Sequence, residues 1–419
     1  MNHSENVDQD AVLQARTMLL GSGRPSLARE VQAYRVLARV SPASYLPKLA
    51  RALVSYGYEV GPAGMEPRLA LHAEAADAAR RIDADEPNRA DVLCGVLDSY
   101  RRTLLTIGRR AEAFAASEEM AGAGRLAFAR GHVRNPGYGA GPLATMLAEE
   151  GRHGEAADIR GRGIASSPPE TDFATAVERA AELDAAGRHE EALEVFTELV
   201  DLTRGATEAQ ATAMVNLVWE LVHRSGMFEA VGRREEAGAD RQEALRILAR
   251  LAESGEPSRR SGAVATWSTL FALSGRGAEP AASREAPMPP LGADFIDWSP
   301  DTRESYLGAI PVLEARVAEL TGSGLLSEAV EAHRRLVRRS AVLHQQRSYR
   351  IEAPLRPLFD EGVALARRVP GAPETLARAL TDRAMFLAAA DRHGEAHADF
   401  AEAVALRGEA TRTPIVTRT

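Results

Sequence analysis

A six-residue phrase recurs along this chain and limits it to one kind of architecture. It reads Gly-Arg-His-Gly-Glu-Ala at 151–156, Gly-Arg-His-Glu-Glu-Ala at 187–192 and Asp-Arg-His-Gly-Glu-Ala at 391–396. Looser copies begin at Gly108, Gly232, Gly275 and Gly324, so successive starts lie 43, 36, 45, 43, 49 and 67 residues apart. Two helices and their connections occupy an interval of that size, and such units stack because each must bury its apolar face on a neighbour.

Each part of the phrase has a physical role. Gly187 supplies a left-handed backbone without steric cost and so reads as the cap of the helix before it. Glu190 and Glu191 fall in the first turn of the next helix, where negative charge suits the helix dipole. Ala192 is small enough for two helices to approach closely. Phe173, Val177, Ala180 and Leu183 form one apolar stripe at helical spacing, and Ala192, Phe196, Leu199 and Val200 form its counterpart.

The pattern resembles the tetratricopeptide repeat (TPR) family, above all the long Ala- and Arg-rich arrays of actinobacterial proteins. Ala192 with Phe196 and Ala396 with Phe400 match that family's second-helix signature of Ala, three residues, then Phe. The Trp and Tyr of the family's first helix are mostly missing, and the steps exceed its usual period of about 34 residues. The resemblance covers roughly residues 40 to 408 and implies an all-α fold: a right-handed α-solenoid of antiparallel helix pairs, a TPR-like superhelix. Such a fold hosts many binding roles.

Along the chain, residues 1–24 read as a polar arm with a short helix around Val12 to Leu20, and 25–275 as the helical-repeat array. Within the array, Gly131 to Pro142 reads as a loop: its Gly137, Gly139 and Gly141 lack both the dinucleotide-binding spacing and a preceding strand. Residues 276–300 form a Pro-rich irregular segment. Its Pro280, Pro287, Pro289, Pro290 and Pro300 forbid a continuous helix, while Phe295, Ile296 and Trp298 predict that it packs on the array as a staple or plug. It separates two sub-arrays that could bend independently. Residues 301–410 are C-terminal helical repeats with an extra helix near 357–369 of unassigned partner, and 411–419 a disordered tail.

Composition narrows the function. Lys48 is the only lysine among 51 basic residues, and no glycine lies near it, which removes a phosphate-binding P-loop. A net charge of −8 argues against general attraction to nucleic acid. Cys94 is the sole cysteine, so intrachain disulfides and cysteine-based zinc clusters are excluded. There is neither a long apolar run nor a signal-peptide pattern, so the chain reads as cytoplasmic and not membrane-bound. His393 and His397 lie four apart, but His153 and His189 share the slot of His393, so these histidines belong to the phrase and no metal site or cofactor is expected.

Candidate binding residues come from two places. The helix from about Ala206 to Arg224 carries Asn216, Trp219 and His223. Asn216 resembles the asparagine that TPR domains place on the concave face, while Trp219 reads as core. Trp267 and Phe271 follow on the next unit, either as core or as exposed anchors. The second place is the basic run from His333 to Arg350, in which Arg334, Arg335, Arg338 and Arg339 share one helix face, read as a solvated face or an anion site.

The expected function is a non-catalytic scaffold or regulatory module that binds a protein or peptide partner on its concave surface. The alternatives are a nucleic-acid-binding regulator using the Arg334 to Arg350 face, and an enzyme with a site near 275–300. No paired carboxylates, nucleophile elbow or metal-ligand cluster in the sequence supports the enzyme. The sequence names neither the partner nor an oligomeric state.

Overall fold

The computed structural model describes residues 9–20, 23, 25–60, 64–164, 173–256, 263–345 and 351–408. Among these the secondary structure is helical, with a single isolated bridge between Leu291 and Ala293. The expected tail at 411–419 and the end of the arginine run, Arg347 and Arg350, lie outside the described residues. The chain forms two compact units.

The first unit comprises Met1–Leu147, Asp158–Pro169 and Ser299–Asp301. Its helices are α1 (Gln9–Leu20), α2 (Leu27–Val40), α3 (Pro42–Glu59), α4 (Met65–Arg80), α5 (Arg89–Thr106) and α6 (Arg110–Ala129), followed by most of α7 (Gly141–Glu149) and the end of α8 (His153–Ile164). From α1 to α6 each helix packs on the next in sequence. The N-terminal arm thus includes a docked helix, with Ala15 buried against Ala33 and Leu37. The glycine-rich stretch before α7 is a run of turns that lays Tyr138 against the core of α3 to α6.

The second unit comprises Ala148–Ala157, Glu170–Trp298 and Thr302–Thr419. It holds α9 (Phe173–Ala185), α10 (His189–Glu208), α11 (Met214–Ala230), α12 (Arg234–Ser254), α13 (Ala263–Leu273), all but the first two residues of α14 (Pro300–Gly308), α15 (Ile310–Gly322), α16 (Leu326–His344), α17 (Glu352–Arg367), α18 (Pro373–Ala389) and α19 (His393–Leu406). Sequence-adjacent pairs again dominate, as a helical repeat requires.

The phrase behaves as its chemistry dictates. Gly108, Gly151, Gly187, Gly232 and Gly324 all have φ between +75° and +82°, and Asp391 takes the same conformation at +64°. At Gly187 the amide donates to Asp184 and that of Arg188 to Leu183, which caps the last turn of α9. The arginine that follows then pairs with a glutamate three residues on: Arg109 with Glu112, Arg152 with Glu155, Arg188 with Glu191 and Arg233 with Glu236, at 2.6–2.8 Å. The closing alanines Ala113, Ala156, Ala192, Ala237, Ala329 and Ala396 all have 0% exposure, so these six copies end in a close helix contact.

The copy at Gly275 breaks the rule. Its φ is −98°, and a 3-10 turn over Arg276–Ala278 follows instead of a helix. A Cβ there would run into the Arg338 side chain, which would have to shift to admit any residue larger than glycine.

Linear stacking also gives way in the second unit. α12 packs against α19, and α13 against α11, α16 and α18. Ala244, Ile247, Leu248 and Leu251 of α12 would otherwise leave an apolar face open to water, and they share a core with Phe400 and Val404 of α19. The helix near 357–369 is α17, which packs against both α16 and α18.

The Pro-rich segment is a staple. Leu291, Ala293 and Trp298 are buried in the same core as α11 and α18, the Met288 amide donates to the Glu149 carbonyl (2.9 Å), and the Trp298 indole donates to the Ala293 carbonyl (3.2 Å). The helices on both sides of it share that core, so within the second unit it does not divide two separately packed sub-arrays.

Candidate functional site

The inner sides of α9, α11, α13, α16, α18 and α19 line a half-open cavity of about 460 Å³ within the second unit. Cavities of roughly 300–1,000 Å³ are the size that small ligands or inserted side chains occupy. One wall is aromatic. Trp267 and Phe271, one turn apart on α13, stack nearly parallel at 5.6 Å. Trp267 also meets Phe386 at 5.8 Å and Phe359 at 6.2 Å, and those two rings stack on each other at 4.5 Å. This cluster ties α13 to α17 and α18. Trp219 completes the wall from α11 and donates its indole N–H to the Met385 carbonyl, 3.2 Å away.

The two tryptophans differ in one respect. Trp267 is 1% exposed, yet its indole nitrogen has no hydrogen-bond partner. A buried N–H without an acceptor costs about 1–3 kcal/mol, so the position is under tension that an acceptor inside the cavity would relieve.

The polar wall is built mostly of satisfied pairs. Arg334 bonds Asp382 (2.8 Å), Arg241 bonds Glu229 (2.9 Å), and Arg407 bonds Glu374 (3.2 Å). Arg378 reaches Glu331 at 3.2 Å and stays partly open to solvent. His223 lies half-buried against Phe196 at 5.0 Å. Burial pushes its pKa down to about 4, the nearby Arg276 charge adds to that, and Asp184 opposes it. The imidazole is therefore neutral near pH 7.

Arg276 is the exception among these cations. Its guanidinium donates to the carbonyls of Ala181 and Leu291 and thereby clips the staple to α9. Burial lowers its pKa, while the Glu182 and Asp184 charges raise it. Those carboxylates are engaged by His153 (2.6 Å) and His189 (2.8 Å), the histidines of the repeat phrase. No carboxylate among the described residues stands within ion-pair distance of Arg276.

Of the residues expected from the sequence, Trp219, His223, Trp267, Phe271 and Arg334 come together in this cavity. Asn216 does not line it. It sits at the start of α11, where its amide donates to the Thr212 hydroxyl (3.0 Å). The reading of Arg334, Arg335, Arg338 and Arg339 as one solvated face is corrected. Arg338 and Arg339 are buried, and Arg339 donates to the Tyr306 carbonyl (2.9 Å) and bonds Glu279 (2.6 Å). α16 is covered on several sides by α13, α15 and α17, so an arginine row along it cannot stay in water.

The sequence reading missed Arg276, Arg378 and Arg407. Arg276 was hidden inside a false copy of the phrase. Pro280 at the place of the closing alanine was the signal that this copy opens no helix. Among the described residues, no group of three or more His, Cys, Asp or Glu side chains is placed to hold a metal ion, and no helix is long and apolar enough to cross a membrane. The chain matches no protein-family model, and no curated protein is similar to it in sequence.

Proposed function

We propose that the protein is a non-catalytic, cytoplasmic binding module, a right-handed solenoid of tetratricopeptide type whose second unit takes a protein or peptide segment on its inner face. The observation that carries this reading is the convergence of Trp219, His223, Trp267, Phe271 and Arg334, from three sequence-distant helices, on one cavity. Aromatic side chains and arginines gathered at a concavity are the usual composition of an interaction hot spot. The nucleic-acid reading has less support, because two of its four arginines are buried and a third pairs with Asp382. The residues near 275–300 support packing in place of catalysis: Leu291, Ala293 and Trp298 are spent on the core.

Affinity capture with quantitative mass spectrometry tests the proposal by comparing the native protein with Ser274→Trp and Arg378→Glu. Both positions line the cavity and lie at its solvent side. The expected result is a partner retained by the native protein, lost from both variants and kept by Arg109→Ala, which lies in the first unit. A capture profile unchanged by both cavity variants overturns the reading.

A further inference from the structure

We infer that the cavity of the second unit receives a planar apolar group carrying a negative charge, in the form of a small organic anion. The inference goes beyond the partner segment of the proposed function: it rests only on reading the cavity as a recognition site and gives it a small-molecule ligand. Shape supplies the first argument. α13 packs against α11, α16 and α18, and the space left beside it is a half-open pocket of about 460 Å³. A volume of that order accommodates a compact molecule.

The wall supplies the second argument. Trp267 and Phe271 line the cavity as a mutually stacked pair, and the buried indole N–H of Trp267 lacks an acceptor. A planar group with an acceptor suits this wall: its ring packs along the aromatic edges and its acceptor takes the orphan proton.

Charge supplies the third. Arg276 lines the cavity without an ion-pair partner. Arg338 stands behind Phe271, its guanidinium 5.7 Å from the ring centre, and lies directly against Gly275, the residue before Arg276. It is 2% exposed, and its Nε and Nη1 have no partner. Among the described residues it too has no carboxylate at ion-pair distance. Arg276 is held by the Ala181 and Leu291 carbonyls with the Glu182 and Asp184 charges near it but not bonded to it, and the buried Arg338 feels Asp382 and Glu331 only at a distance, so neither guanidinium is neutralised by a direct contact. The other lining arginines are balanced by Glu229, Asp382, Glu374 and Glu331. An anion entering at this end contacts Arg276 directly, and Arg338 contributes through its field.

Titration of the full-length protein with 1-naphthaleneacetate and with its neutral counterpart 2-(1-naphthyl)ethanol, by calorimetry and tryptophan fluorescence, tests this. The expected result is saturable one-to-one binding of the anion with a change in indole emission. The anion should bind roughly tenfold or more tighter than the alcohol, the scale of one charge-assisted hydrogen bond. Arg338→Met should reduce that preference and leave alcohol binding as it was, while Arg276→Gln, if it folds, should abolish the preference. Equal affinity for the two probes overturns the inference, and so does saturable binding of neither. A partner lost on Ser274→Trp while the probes show no charge preference would refute the anion alone and leave partner binding standing.

Discussion

The indole nitrogen of Trp219 on α11 donates to the main-chain carbonyl of Met385 on α18, 3.2 Å away and 166 residues further along the chain. Trp267, across the cavity, has a buried indole of the same chemistry with no partner. One tryptophan therefore fastens two sequence-distant repeats by a hydrogen bond, while the other is held by apolar and ring packing.

That contrast can be measured. Both Trp219→Phe and Trp267→Phe remove similar buried volume, but only the first removes a hydrogen bond. Trp219→Phe should cost about 1 kcal/mol more in chemical denaturation. Equal losses would mean that the bond to Met385 adds nothing to the joint between α11 and α18.

The left-handed residue of the phrase gives a prediction with two signs. Gly187 (φ +78°) and Asp391 (φ +64°) hold the same turn position. Gly187→Ala should destabilise by about 1 kcal/mol, because a Cβ in that conformation clashes with the following carbonyl. Asp391→Gly should stabilise or be neutral. Thermal melts of the two variants moving in the same direction would overturn the assignment of the turn.

Ala192, with 0% exposure, faces the close contact between α9 and α10, whereas Arg188 beside it is half-exposed and pairs with Glu191. Ala192→Trp should lower stability by about 3 kcal/mol or prevent folding, since nothing in a well-packed contact can move aside for an indole. Arg188→Ala should leave the denaturation midpoint where it was. Comparable shifts would show that the helix interface lies elsewhere.

Two titratable groups on α11, buried Glu220 and half-buried His223, set opposite pH limits. Glu220 is 1% exposed, accepts only from the Thr203 hydroxyl (3.1 Å), and burial pushes its pKa up from 4.5 to about 8. Its contribution to stability is complete below pH 4.5 and declines as pH rises towards 8, because the unfolded chain ionises first; the full effect is roughly 5 kcal/mol. His223 shifts the other way, from 6.5 to about 4, so its contribution is complete above pH 6.5 and is lost as pH falls towards 4. Glu220→Gln should flatten the alkaline limb of a stability–pH curve and leave the acid limb intact. A flattened acid limb would contradict the assignment.

Reversing the charge of two neighbouring arginines on α16 should have unequal effects. Arg339 bonds Glu279 and stacks over Tyr306 at 4.2 Å, so Arg339→Glu places two carboxylates together in the core and should abolish cooperative melting. Arg335→Glu should fold normally. Neither should create or remove tight binding of duplex DNA at physiological salt, given the net charge of −8.

The sequence by itself determined what is local. The turn at Gly187, its cap on α9, the first-turn glutamates of α10 and the buried Ala192 all follow from residues within a few positions of one another, whose conformational and packing limits hold wherever the segment is placed. Tertiary structure decided the rest. No local pattern in α12 says that its apolar face is covered by α19, about 150 residues on, and no spacing in α16 says that Arg338 and Arg339 turn inward while Arg334 finds Asp382. The cavity exists only because α13 is seated among α11, α16 and α18, and that depends on how sequence-distant apolar faces find each other. Burial of those faces rewards any partner of matching shape, so the selection is made by the packed whole and not by the periodicity of any one helix.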